Sequence, residues 1–175
     1  SRRGFLVSLC AAGAVFGFPK PGAAAMDPAA PGGLPVAAVG ATYEPAIWYW
    51  IDTKGIVNVN IIRAEMGQHV GTAIARILAD ELGANWDDVR ITHVDTDPKW
   101  GLMVTGGSWS VWQSWPVYRQ AGAAGRVALA ETAALLWGVD ASEVSVANGL
   151  VTAAGNSASF GELVAAGITR SFTED

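Results

Sequence analysis

Cysteine is nearly absent: Cys10 is the single one in 175 residues. That excludes an intrachain disulfide and any metal cluster built from cysteines of this chain. The two histidines, His69 and His93, stand apart and argue against a zinc site. Lysine is scarce as well, with only Lys20, Lys54 and Lys99, and the net charge is −5. A nucleic-acid surface needs clustered Lys and Arg, so that class is excluded. No GxGxxG or GK[ST] follows a strand, and no HExxH, nucleophile elbow or paired-carboxylate spacing occurs. The apolar run Phe5–Phe18 is too short and too rich in glycine to cross a bilayer.

What remains is a chain sized for one modest domain. Its hydrophobic content is 51%, but Ala- and Gly-rich segments that bury little area inflate that figure. The paired arginines of Ser1-Arg2-Arg3-Gly4-Phe5-Leu6, the weak apolar run and Ala23-Ala24-Ala25 make residues 1–25 a twin-arginine signal. Residues 26–45, rich in Pro, Gly and Ala, are expected to be a linker, and residues 1–45 together to pack little core. The folded part, 46–175, is expected to start near Ala46.

Ile47–Ile51 and Ile56–Ile62 read as strands around a turn at Asp52-Thr53-Lys54-Gly55, with Val57, Val59 and Ile61 on one face. The apolar period then becomes helical. Val70, Ile74, Ile77, Leu78 and Leu82 form a stripe, and Gly83 stops it. Val89–Val94 is a third strand and Asp95–Gly107 an irregular loop. A long helix is expected over Ser108–Trp137, with Pro116 predicting a kink or a fresh start. Within it, Ala121-Gly122-Ala123-Ala124-Gly125 is too small to fill a core and lets another backbone approach. Asn148-Gly149 marks a tight hairpin. Ser159-Phe160-Gly161-Glu162 is a capping box opening a last short helix. The order implies an α+β fold, a mixed sheet with helices on one face. Ser171-Phe172-Thr173-Glu174-Asp175 resembles the beginning of a further element, so the chain is expected to be a portion of something larger.

Two strand-to-helix junctions carry the chemistry: Glu65-Met66-Gly67-Gln68-His69-Val70 and Thr105-Gly106-Gly107-Ser108-Trp109-Ser110. Junctions of this kind offer free N–H groups and a positive dipole end, which suits phosphate. The Gln68 amide can donate and accept toward an oxo or pterin group, or satisfy its own loop backbone. His69 is either a phosphate donor or a solvent-facing helix residue. Thr105, Ser108 and Ser110 supply hydroxyls, and Gln113 lies one turn beyond Ser110. Glu65, beside Gln68, orients the loop, and His93 is structural. The tryptophans Trp100, Trp109, Trp112 and Trp115 wall a cleft or fill a core. The two segments are expected to meet in space, because one ligand must touch both.

In order and spacing, Ala64-Glu65-Met66-Gly67-Gln68-His69-Val70-Gly71-Thr72-Ala73, Ile77-Leu78-Ala79-Asp80-Glu81-Leu82-Gly83, Val94-Asp95-Thr96-Asp97-Pro98 and Thr105–Ser110 resemble the molybdopterin-binding large subunit of the xanthine oxidase family. The nearer branch is isoquinoline 1-oxidoreductase and related aldehyde dehydrogenases. The resemblance runs from about Trp48 to Gly167. It implies a molybdenum-bearing molybdopterin cytosine dinucleotide and oxidation of aldehydes or hydroxylation of N-heteroaromatics, with water as oxygen source. It further implies an iron–sulfur small subunit carrying the clusters, a cytochrome c subunit, and a periplasmic location peripheral to the inner membrane. Cofactor contacts are expected from Gly67, Gln68, His69, Thr105, Gly106, Gly107, Ser108, Trp109, Ser110 and Gln113.

Two positions depart from the family pattern. His69 stands where a glycine is common, and Trp109 replaces the arginine of a Gly-Ser-Arg-Ser version. The family's catalytic glutamate belongs to a Gly-Glu-Pro-like segment that does not occur here, so no catalytic residue is expected within these 175. The alternative is a non-catalytic periplasmic scaffold or binding module of the same fold. An unrelated aromatic- or sugar-binding domain leaves the two glycine-bearing helix starts unexplained.

Overall fold

The structure, a computed structural model, describes residues 42–168. The proposed signal, most of the linker and the last seven residues lie outside that range. Four strands, β1 (Thr42–Ala46), β2 (Tyr49–Asp52), β3 (Val57–Ile61) and β4 (Val89–His93), form one sheet in the order β1-β2-β3-β4. The first three are antiparallel. β4 returns parallel to β3, from Val57 opposite Val89 to Ile61 opposite His93. A parallel return needs a crossover, and the helix α1 (Val70–Leu82) supplies it. A second, antiparallel sheet contains β5 (Ser145–Ala147), β6 (Leu150–Ala153) and β7 (Asn156–Ser159). The long helix α2 (Ser110–Trp137) packs on α1 and on this second sheet, and α3 (Phe160–Ala166) closes β1 and β2. The mixed α+β arrangement is the expected one.

Alternation decides which face is covered. Tyr49 and Ile51 of β2 and Val57, Val59 and Ile61 of β3 are buried, whereas Trp50, Asn58 and Asn60 between them are half-buried. The buried set merges with Val70, Ile74, Leu78 and Leu82 of α1 and with Tyr118, Ala128 and Leu129 of α2 in one core. Gly83 ends α1 in the left-handed region, at φ 77°. Its amide bonds to the Asp80 carbonyl, as its sequence position implies.

The small-residue segment does what its composition suggests. A Cβ placed on Gly122 would lie 2.5 Å from the Leu78 carbonyl oxygen and 3.2 Å from the Leu82 nitrogen. One on Gly125 would overlap the Tyr49 hydroxyl, which donates to the Ala121 carbonyl. The two helix backbones therefore approach through glycine.

Three expectations need correction. β1 begins at Thr42, so ordered chain extends into the segment assigned to the linker, and Ile47 and Trp48 are the turn to β2 rather than strand. Pro45 hid β1, since proline demotes a strand reading, yet an edge strand tolerates it. α2 starts at Ser110 and runs unbroken through Pro116, so no fresh start occurs. The bond that Pro116 forgoes would go to the Trp112 carbonyl. That turn is exposed, with Trp112 at 73%, so water can satisfy the oxygen. Finally, β7 and its turn at Ala154-Gly155 are additional to the expected elements. Both turn residues have positive φ, 50° and 83°, the same geometry as Asn148-Gly149 at 52° and 75°.

Gly122→Ala tests the helix contact. Alanine's helix preference returns about 1 kcal/mol, while overpacking costs about 1–3 kcal/mol. A Cβ against backbone lies at the costly end. We expect a net loss of about 1–2 kcal/mol in urea denaturation of the chain; unchanged or increased stability would show that the helices part freely.

Candidate functional site

Both junctions lie at helix N-termini, and one residue joins them. Arg63 lies two residues beyond β3 and is only 4% exposed. Its Nη1 donates to the carbonyls of Leu102, at 3.2 Å, and Val104, at 2.6 Å. Nη2 donates to Gln113 Oε1 at 3.1 Å and Nε to Ser114 Oγ at 3.4 Å. One residue later, the Ala64 amide donates to Thr105 Oγ1 at 2.7 Å. The two loops, forty positions apart, are thus laced together. Burial lowers the Arg63 pKa from its ordinary value, against an opposing influence of Tyr118. Tyr118 donates to the Asn60 carbonyl at 2.5 Å, and burial raises its own pKa.

The first junction is filled by the protein itself. Glu65 Oε1 accepts from the amides of Gly67, at 2.8 Å, and His69, at 2.9 Å, and Oε2 accepts from Gly71 at 3.5 Å. A carboxylate sits where a helix N-terminus would otherwise receive an external anion. Gln68 is turned inward as well: its Oε1 accepts from Met66 and its Nε2 donates to the Ala64 carbonyl. Each end of that amide keeps one further hydrogen-bonding position. His69 is the residue before α1, with φ 60°, and its side chain caps nothing. The loop-orienting reading of Glu65 describes its geometry. The expectation of free amides at this junction fails for Gly67, His69 and Gly71, whose amides Glu65 has taken.

The second junction is different. No hydrogen bond within the described residues uses the amides of Gly106, Gly107 or Ser108, or the hydroxyls of Ser108 and Ser110. A Cβ on Gly106 would meet nothing within 4 Å, so its surface is open. Gly107 and Ser108 both take positive φ, 60° and 56°. Trp109, and not a serine, precedes α2, and no side chain caps the helix. The Trp109 Nε1 is buried and has no hydrogen-bond partner among the described residues. Thr105 uses its oxygen as the acceptor for Ala64, and Gln113 gives its carbonyl to Arg63.

Around this end Met66, Leu102, Val104, Trp112 and Trp115 are exposed. Trp100, by contrast, is buried and faces Trp48 at a ring separation of 6.1 Å. His93 sits under α1, with Nδ1 3.1 Å from the Arg63 carbonyl, which is a structural position. Arg63, which ties the second loop to the end of β3, is the residue at this site that sequence reasoning missed. The available signal was a lone charge ending an apolar strand just before a glycine-bearing loop.

Against this geometry, comparison with known proteins is specific. The molybdopterin cofactor-binding domain family matches residues 2–174, and the chain belongs to that family. It is the family that the junction motifs resemble. The chain is 54% identical over 171 residues to the membrane-bound aldehyde dehydrogenase (pyrroloquinoline-quinone) of Gluconacetobacter polyoxogenes, with 95% of this chain and 21% of that protein covered. It is 36% identical over 174 residues to isoquinoline 1-oxidoreductase subunit beta of Brevundimonas diminuta, with 94% and 22% covered. The solved structure of quinoline 2-oxidoreductase from Pseudomonas putida 86 aligns at 26% identity and a TM-score of 0.46, over 67% of this chain and 15% of that one. The chain therefore spans about a fifth of the curated relatives it matches.

The Glu65 contacts make a pH prediction. Slight desolvation pushes its carboxyl up, but the amides of His69, Gly67 and Gly71, with the His69 charge, outweigh it and bring the pKa below the ordinary 4.5. A depressed carboxyl contributes order that is complete above 4.5 and lost as pH falls through the lower folded-state value. The protection of the Gly67, His69 and Gly71 amides against hydrogen exchange, relative to the intrinsic rate at each pH, should therefore fall in that acid window. Glu65→Gln should lower that protection at neutral pH and flatten its pH dependence. Equal protection in the two proteins would remove Glu65 from this role.

Proposed function

We propose that this chain is the cofactor-binding portion of a molybdenum hydroxylase large subunit. The observation carrying this reading is the asymmetry of the two junctions: one is filled by Glu65, while the other offers unused amides and hydroxyls. The donor set fits a phosphate-bearing molybdopterin group at Gly106, Gly107, Ser108 and Ser110, with Trp109 Nε1 as a further unmet donor. Gln68, held by Ala64 and Met66, would present its remaining amide positions toward the metal end, and Gly67 and His69 would line the same approach. Thr105 and Gln113 would act by holding the loop.

When bound, such a cofactor supplies two-electron oxidation of a carbon centre, with water as oxygen source. We assign aldehydes or N-heteroaromatics as the substrate class. The cytosine dinucleotide is the form we favour, with electrons leaving through the clusters of an iron–sulfur subunit toward a cytochrome c subunit. The paired arginines at the N-terminus support twin-arginine export to the periplasm. No helix among the described residues is long and apolar enough to cross a membrane. The relative at 54% identity is named as membrane-bound, and on that we place the protein peripherally on the inner membrane.

A second reading rests on one observation: the relative at 54% identity is named for pyrroloquinoline quinone. Cofactor analysis separates the two. The complete subunit, expressed natively, should contain molybdenum and release a cytidine nucleotide on acid hydrolysis; quinone without molybdenum would favour the second reading.

Gly106→Val adds bulk to an open surface. It should leave the thermal midpoint almost unchanged and abolish most molybdenum loading; full loading would move the cofactor away from this junction. The complete subunit with its iron–sulfur partner should reduce dye with aromatic aldehydes or isoquinoline-type substrates. The 175-residue chain alone should not, and turnover by it that Glu65→Gln abolishes would make Glu65 the base.

A further inference from the structure

Among the described residues, Arg63 is a buried cation without an anion. Its four hydrogen bonds go to two carbonyls, an amide oxygen and a hydroxyl, all neutral. The only ion pairs among the described residues are Lys99 with Asp97 and Arg119 with Glu81, and neither involves it. Burying a charge is costly unless an opposite charge offsets it. Here hydrogen bonds satisfy the geometry of the guanidinium while its charge stays uncompensated within the described residues.

That charge is fixed close to the open junction. Arg63 holds the Val104 carbonyl, the next residue is Thr105, and Gly106, Gly107 and Ser108 follow with unused amides. Gln113, on the first turns of α2, is the partner on the other side. The Glu65 carboxylate, two positions on in the sequence, is engaged by the amides of Gly67, His69 and Gly71.

We propose that Arg63 is a positioning and specificity residue for the second junction: it shapes the Leu102–Thr105 segment through two carbonyls, and its unneutralised charge selects a phosphate-bearing, anionic ligand there. This rests on the cofactor reading above and adds to it the source of the anion preference. Trp109 leaves the loop without a cation of its own, so Arg63 supplies the charge from beneath.

The test uses the complete subunit, prepared free of cofactor, with inorganic pyrophosphate and cytidine diphosphate as probes in calorimetric titration. Gln113→Glu is the decisive variant. It keeps the acceptor 3.1 Å from Nη2 but gives Arg63 its anion. We expect Gln113→Glu and Arg63→Met to lose about tenfold or more in affinity for both probes. Arg63→Lys keeps the charge and loses the fork; it should bind less tightly than wild type but clearly more tightly than Arg63→Met, and keep its salt dependence. Gln113→Glu binding within about twofold of wild type, or Arg63→Lys failing as badly as Arg63→Met, would overturn the proposal. So would a wild-type subunit that binds neither probe. Should Arg63→Met not fold, the other two variants still decide. Molybdenum content of the natively expressed wild type is scored separately: its absence beside Arg63-dependent probe binding defeats the cofactor reading alone.

Discussion

The close contact between α1 and α2 is the constraint on which the rest depends. Each helix begins at one of the two junctions, so the distance between helix axes sets the distance between the loops. Gly122 and Gly125 remove the side chains that would hold the helices apart, and Tyr49 reaches between them to the Ala121 carbonyl. With larger residues there, Arg63 could not span from the end of β3 to Gln113 and Ser114 on α2. The core and the site are therefore one structural problem. A segment that looks like poor core material in composition is what brings the loops within hydrogen-bonding reach.

The junctions are alike in sequence yet opposite in electrostatics. Both place glycine and a polar side chain before a helix, the first soon after β3 and the second after an irregular segment that follows β4. In the first, Glu65 lies just before the turn, and its carboxylate folds back over three amides. In the second, no acidic residue occurs from Lys99 to Gln113, and the amides of Gly106, Gly107 and Ser108 are left unused. An external anion competes with a covalently tethered carboxylate at the first and with water alone at the second. The tethered group wins through effective concentration, which is why the proposed phosphate is assigned to the second. The first then serves to hold the Gln68 amide in a fixed orientation.

How much of this was legible follows from the range of the interactions involved. The span Val70–Leu82, its Gly83 stop, the Asn148-Gly149 turn and the Ser159–Glu162 capping box are encoded within a few neighbouring residues, and each occurs as read. The Ala121–Gly125 stripe was legible because extreme smallness has few other uses in a helix. Arg63 was not, since its four partners lie 39 to 51 positions away and no local pattern marks them. Nor was the occupation of the first junction by Glu65. Sequence spacing places the acid beside the loop, but the direction of its carboxylate depends on Gly67 at φ 92° and His69 at φ 60°. β7 escaped because Ala154-Gly155 lacks the Asn or Asp that usually announces such a turn.

Glu65 also bears on where the chemistry of the family must come from. A general base needs an unoccupied lone pair within reach of its proton and a pKa raised toward the working pH. Glu65 has the opposite environment. Three backbone amides stabilise its ionised form and lower its pKa, and accepting a proton would sacrifice the contacts that keep the Ala64–Gly71 loop in shape. A carboxylate arranged in this way is a scaffold for an amide, not a proton acceptor for a substrate. The other carboxyls with lowered pKa values, Asp140 and Glu162, cap the turn at Ala141–Glu143 and the start of α3, in the part of the chain that follows α2. Within the described residues, then, acids are used to finish helices and turns, and the open junction is furnished with neutral donors over a buried cation. Such a surface is suited to holding an anion, and on the proposed reading proton transfer there falls to a group outside the described residues.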